Sequence, residues 1–209
     1  MKQIRLEQLT DGIFAIVMTI LVFEIRVPEL AGYVREETII NYLINMSPAF
    51  LSYMLSFSLL FTYWRSHHFI MSVLAKNIDT KFSNISGIFL FFVALTPFSA
   101  HLLSKYVYSE TTIIFFAVNM ILISIMLYKM RRYVIKSETI DNAPFTQTEN
   151  EHAYMHILFP AIAASIAIAV SFTSNILALF LFTLAILFNL SSRSTKIIFS
   201  IINLFRKTQ

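Results

Sequence analysis

Residues 12 to 23, GIFAIVMTILVF, hold no charged side chain, and this run sets the first limit on the fold. In hydrocarbon every backbone N–H and C=O must find its partner within the structure, and a helix of roughly 20 residues, rising about 1.5 Å each, does so unaided. Charges bracket the run, with Arg5, Glu7 and Asp11 before it and Glu24 and Arg26 after it. A membrane-spanning helix is therefore expected over about 5-28. Acids at the edge of a bilayer core are costly, so Asp11 and Glu24 each need a reason to be there.

The rest of the chain repeats the theme. Of 209 residues, 57% are hydrophobic and 13% charged, and the mean hydropathy is +0.70. A soluble domain carries about 25% charged residues. The chain is expected to be an all-α integral membrane protein. It has no cysteine, which excludes disulfides and thiolate chemistry. The first helix is not expected to be a cleaved signal peptide. It carries Glu7 and Asp11 where a basic region should lie, and no small-x-small site follows it.

Further helices are expected over about 48-74, 82-104, 111-134, 153-172 and 176-203, giving six spans in a single membrane unit over 1-209. Ser47-Pro48 is a helix-start signal, and Pro97 should kink or break the third span. VREETIINYLINM, about 34-46, is short and mixed, with Ile39, Ile40, Leu43 and Ile44 on one face, as an interfacial helix requires. Six spans place both termini on one side. Thirteen of the sixteen Lys and Arg residues then share that side, leaving Arg26, Arg35 and Lys105 on the other. By the positive-inside rule both termini are cytosolic, in a multi-pass membrane protein. The net charge of +4 reflects this placement and does not argue for nucleic acid.

Five features could carry chemistry. On the first helix, Leu9, Gly12, Ile20, Phe23 and Val27 lie within about 40° of Ile16 at 100° per residue, and Thr19 sits on the shoulder of that stripe. Asp11 points nearly the opposite way and is expected to be buried, while Glu24 falls about 80° from the stripe. Such a stripe faces lipid or a neighbouring helix; alternatively, several copies surround an axis and form a hydrophobic constriction that gates by dewetting. The second feature is YWRSHHF, Tyr63 to Phe69. Arg5, Asp11, Trp64 and His67 or His68 share one membrane depth and could satisfy one another as a network locking two helices. The adjacent histidines point about 100° apart and cannot chelate one metal as a pair. The third, His152 and His156, has a zinc-compatible spacing, but the order is E-H-x-x-x-H and no third ligand is evident. The fourth, LTPFSAHLL (Leu95 to Leu103), combines Pro97 with Thr96, Ser99 and His101. The fifth is Ala161, Ser165 and Ala169 at four-residue spacing, with Ala163 and Ala167 close by, which permits tight helix packing. No carbonyl-filter motif, Walker motif, nucleophile elbow or arginine ladder is present, so neither an enzyme nor a metal centre is expected.

Arg5-x-x-x-Leu9-Thr10-Asp11-Gly12 resembles the R-x-x-x-F-S-D-G signature of the transmembrane-protein-175 potassium channels, with Leu9 for phenylalanine and Thr10 for serine. Trp64-x-x-His67-His68 and Leu95-Thr96-Pro97-Phe98 resemble further landmarks of that family, in the expected order. The resemblance implies six helices per chain, a homotetramer in the membrane lipid, and a pore lined by the first helices with potassium as the permeant ion and no cofactor. It places the narrowest ring at Ile16, a hydroxyl layer at Thr19, and further rings at Ile20 and Phe23, the last standing where an aliphatic residue is more typical. It assigns Arg5, Thr10 and Asp11 to a structural network with Trp64 and His67 or His68. The alternative from another class is a proton-coupled secondary transporter that uses Asp11 and His67/His68.

Overall fold

The structure, a computed structural model, describes residues 2–26, 35–141 and 147–190. Among these residues every regular element is a helix. α1 spans Gln3–Ile20 and tightens into a 3-10 turn at Leu21–Glu24. Its buried side is Leu6, Thr10, Phe14, Val17 and Leu21, the four- and three-residue spacing of one helical face. α2, Glu36–Asn45, buries none of its residues and leaves Ile39, Ile40, Leu43 and Ile44 exposed. After Met46 the chain turns by 47° into α3, Ser47–His68, which starts with Pro48 and ends in a π-helical turn, Phe69–Leu74. A π turn displaces the usual i→i−4 bonding. The Gln3 amide of α1 donates to Met71 O and Ala75 O at this point, tying the start of the first helix to the end of the third.

α4, Thr80–Ala94, and α5, Thr96–Lys105, meet at Leu95, two residues before Pro97. Here the break expected from proline occurs, since a proline cannot donate to the preceding turn. The Asp79 carboxylate accepts from the Phe82 N–H at 2.8 Å and caps α4. α6, Glu110–Lys136, is the central post, burying Ile113, Phe116, Ala117, Met120, Ile123, Leu127, Met130 and Val134. α7, Gln147–Ser171, packs on it, and α8, Asn175–Leu190, returns through a tight turn in which Thr173 N and Ser174 N both reach Val170 O at 2.9 Å. Lipid tails are as apolar as leucine, so these contacts hold by close packing rather than by exclusion of water. The buried face of α7 is Ile157, Pro160, Ala164, Ala167 and Ser171. Of the small residues expected to pack, Ala167 is buried, whereas within the protomer Ser165 and Ala169 are exposed and Ala161 is half-buried; Ala164 joins Ala167 on the packed face.

Four helices are long and apolar enough to cross a membrane: Gln3–Glu24, Thr80–Lys105, Glu110–Lys136 and Ala153–Ser171. The bent pair of α2 and α3 makes a fifth if taken as one span. The sixth expected span, 176-203, runs beyond the described residues; its described apolar part is Asn175–Leu184. The chain is thus a multi-pass, all-helical protein with four to five candidate spans among the described residues.

Candidate functional site

On the outward side of α1, Leu9, Gly12, Ala15, Ile16, Thr19, Ile20 and Phe23 are all exposed, opposite the buried row from Leu6 to Leu21. Ile16 is 59% exposed and Phe23 71%. Thr19 Oγ1 donates to Ala15 O at 2.8 Å or Ile16 O at 2.9 Å. Its single proton is thereby spent inside the helix, and the remaining lone-pair density points outward, the polarity that favours a cation. The 3-10 turn resets the direction of the last side chains of the helix. At three residues per turn, Phe23 falls directly over Ile20, so the apolar stripe continues straight. The same tightening carries Glu24 to about 160° from Ile16, rather than the 80° of a continuous α-helix. Glu24 is turned toward α5 and pairs with His101. Its expected place beside the stripe is therefore corrected.

A polar ladder joins α1 to α3. Trp64 Nε1 donates to Asp11 Oδ1 at 2.8 Å. The Trp64 ring stacks on His68 with centroids 5.6 Å apart, and His68 Nδ1 lies 3.5 Å from Glu7 Oε1. Ser72 donates to that same Glu7 oxygen and sits 3.3 Å from His68 Nδ1. The structure thus brings together Asp11, Trp64 and His68, and adds Glu7 and Ser72, which the sequence motifs did not single out. A signal for them existed. Glu7 and Asp11 are four residues apart on one helix, and Trp64, His68 and Ser72 repeat the same spacing on the other.

Three expected members are not in the ladder. His67 is buried at 2% exposure and stacks flat on Phe89 of α4, centroids 5.1 Å apart. No described contact joins it to Asp11. Thr10 is buried, and its hydroxyl donates to Leu6 O at 2.9 Å within its own helix. Arg5 is exposed and makes no ion pair or side-chain hydrogen bond among the described residues. Asp11 is itself exposed rather than buried; it lines an open groove of about 390 Å³ with Phe14, Ala15, Met18, Phe61 and Trp64. Its hydrogen bond, rather than burial, satisfies it.

On the α4–α5 side, Ser99 donates to Thr96 O and Ser52 to Ala100 O, both at 2.8 Å, so the hydroxyls around the break cap backbone carbonyls. Asn119 of α6 reaches Thr96 Oγ1 at 3.3 Å. His156 lines a small cavity between α3, α6 and α7, and His152 lies among the side chains not described. No cluster of three metal-ligating side chains occurs among the described residues.

Fold and site together define a multi-pass membrane protein whose first helix is latched on one side and presents an uncovered apolar face on the other. Comparisons with known proteins then place it. Residues 5–97 match the family described as "Endosomal/lysosomal potassium channel TMEM175". The sequence is 35% identical over 102 residues to a potassium channel of Chamaesiphon minutus, covering 49% of each chain. It is 27% identical over 135 residues to a potassium channel of a Chryseobacterium species, covering 64% of this chain and 66% of that one. The matched stretches thus span about half to two thirds of these relatives' length. In three dimensions it superposes on a crystal structure described as a lysosomal potassium-selective channel TMEM175 homolog from Chamaesiphon minutus. The TM-score is 0.74 at 25% identity, over 90% of this chain and 95% of the other. The resemblance carried by Arg5 to Gly12, Trp64 to His68 and Leu95 to Phe98 is therefore shown. The chain is similar to the TMEM175 potassium channels in sequence over residues 5–97, and shares the fold of the Chamaesiphon minutus homolog over nine-tenths of its length.

Proposed function

We propose that this chain is one subunit of a homotetrameric, potassium-permeable cation channel of a bacterial plasma membrane, with six spans, both termini cytosolic, and a pore lined by α1. One observation carries the reading: the stripe Leu9, Gly12, Ile16, Ile20 and Phe23 is uncovered in the protomer, on the helix whose other face is latched to α3. The names of the relatives, all potassium channels, support it. One stripe cannot enclose a path, so four copies surround an axis. Ile16 then forms the narrowest ring, with Ile20 and Phe23 outward of it and Thr19 supplying hydroxyl oxygens between them. An oily ring cannot replace a hydration shell, so an ion passes largely hydrated or briefly stripped. Potassium holds its water less tightly than sodium and loses less there. Thr19, with its proton committed to the helix, offers only acceptor density to the ion.

In this reading Asp11, Trp64, His68, Glu7 and Ser72 fix the angle of α1 and take no part in conduction. The transporter alternative requires a proton site shared by Asp11 and the histidines. His67 stands apart on Phe89, which leaves only His68 near the acids. Flux from purified protein in liposomes tests the proposal. Potassium should pass passively and faster than sodium, without saturation and without movement of protons. Saturating, proton-coupled uptake would support the transporter instead.

A further inference from the structure

Gly87 stands in the middle of α4, where a glycine costs a helix about 1 kcal/mol relative to alanine. Nothing described in the protomer asks for it. Its backbone is ordinary helix, and a Cβ added there meets no neighbouring group within 4 Å. In membranes, glycines on a helix face let a second helix come close. Gly87 opens a notch of about 460 Å³ on the surface of α4, walled by Ser83, Asn84, Ile88 and Phe91. Ile88 is 50% exposed and Phe91 65%, so two large apolar side chains rim it. Asn84 is exposed too, and its amide has no hydrogen bond to any described group.

The open groove between α1 and α3 shares no residue with this notch. It sets an exposed large side chain, Phe61, beside a small exposed one, Ala15, and holds Asp11, whose Oδ2 has no partner among the described residues. Notch and groove lie at one depth. Phe14 of α1 meets Phe89 of α4 with ring centroids 5.9 Å apart, and Glu24 pairs with His101, so α4 and α5 rise alongside α1. At the same rise per residue, the groove residues from Asp11 to Met18 stand level with roughly 86–93 of α4. Rotation about an axis normal to the membrane changes no depth, so in a ring of subunits only surfaces at one level can meet. Such a ring also joins unlike patches, because its contacts are heterologous. Notch and groove satisfy both conditions.

We propose that the α4 notch is filled by a second copy of this chain. Ile88 and Phe91 of one subunit enter the α1–α3 groove of the next, over Ala15, and Phe61 of that neighbour takes the space at Gly87. The Asn84 amide then donates to Asp11 Oδ2 of the neighbour, completing a carboxylate that the protomer satisfies on one oxygen only. This rests on the homotetramer proposed above and names the surfaces that close it. The chain has no cysteine, so introduced thiols are the only ones. Phe61→Cys and Ile88→Cys, both at exposed positions, are placed singly and together in the full-length chain. Membranes are treated with a short bismaleimide and run on denaturing gels, and light scattering reads the mass of the purified complex. The double variant should give a ladder reaching four chains, and each single variant should stay a single chain. Gly87→Leu should keep wild-type helical content and raise the concentration needed for half-assembly about tenfold, because it overpacks the contact and not the protomer. If Gly87→Leu does not fold, the ladder decides. Tetramers that give no ladder, dimers linked by either single cysteine, or Gly87→Leu assembling as the wild type does would overturn the proposed surfaces. Wild-type protein of single-chain mass would overturn the tetramer as well.

Discussion

Two side chains, Trp64 and Asp11, join α3 to α1 by a hydrogen bond. The Trp64–Asp11 hydrogen bond has a charged acceptor, a type that contributes about 1.5–3 kcal/mol, toward the low end here because Asp11 is exposed. A double-mutant cycle of Asp11→Ala and Trp64→Phe should show coupling of about 1–2 kcal/mol in thermal unfolding. Additive effects would mean that the bond does not hold the helices. A second residue reports on pH. Burial pushes the Asp79 carboxyl up, but hydrogen bonds from Tyr133, the Phe82 N–H and Thr139 together outweigh it and hold the group below its ordinary value. The folded state therefore binds this proton more weakly than the unfolded state. The resulting stability is complete above the unfolded pKa, about 4, and is lost as pH falls through the lower folded value. Stability should drop on acidification below about pH 4 in the wild type, and less steeply in Asp79→Ala. Equal slopes would remove Asp79 from the account. The latch is partly legible in the sequence: Asp11 and Trp64 stand out, because a polar group at a membrane edge asks for a partner. Which histidine joins them is not legible, since adjacent residues differ by about 100° and only the docking of Phe89 on α4 against His67 decides it.

The helices themselves are largely legible, because long uncharged runs leave the backbone few choices. Departures come where local geometry changes. The 3-10 turn at Leu21–Glu24 rotates Glu24 away from the stripe and onto His101, which no regular 100° wheel could show. In α7 the sequence holds two interleaved rows of small residues, and composition alone cannot choose between them. Packing selects Ala164 and Ala167. Ala164→Leu should accordingly destabilise the protein by about 1–3 kcal/mol through overpacking, whereas Ser165→Leu, on the exposed row, should cost much less. Thermal unfolding in detergent distinguishes the two. A larger loss for Ser165→Leu would place that row in a contact between subunits.

At the scale of the molecule, the fold explains why one helix carries so much. α6 and α7 build the interior, while α1 is held on one side only and leaves Ile16 and its neighbours uncovered. Side chains so apolar are ordinary against lipid, so the protomer alone does not separate a lipid face from a pore. What separates them is the effect of polarity at Ile16. A lipid-facing Ile16→Asn would burden the fold without touching permeation; at a constriction the same change wets the ring and removes the barrier that favours potassium. The decisive measurement is therefore bilayer recording of purified wild-type and Ile16→Asn protein under opposed potassium and sodium gradients. The account predicts potassium-selective currents in the wild type, and larger currents in the variant with a reversal potential shifted toward the sodium equilibrium. Folded variant protein with wild-type conductance and reversal potential would contradict it.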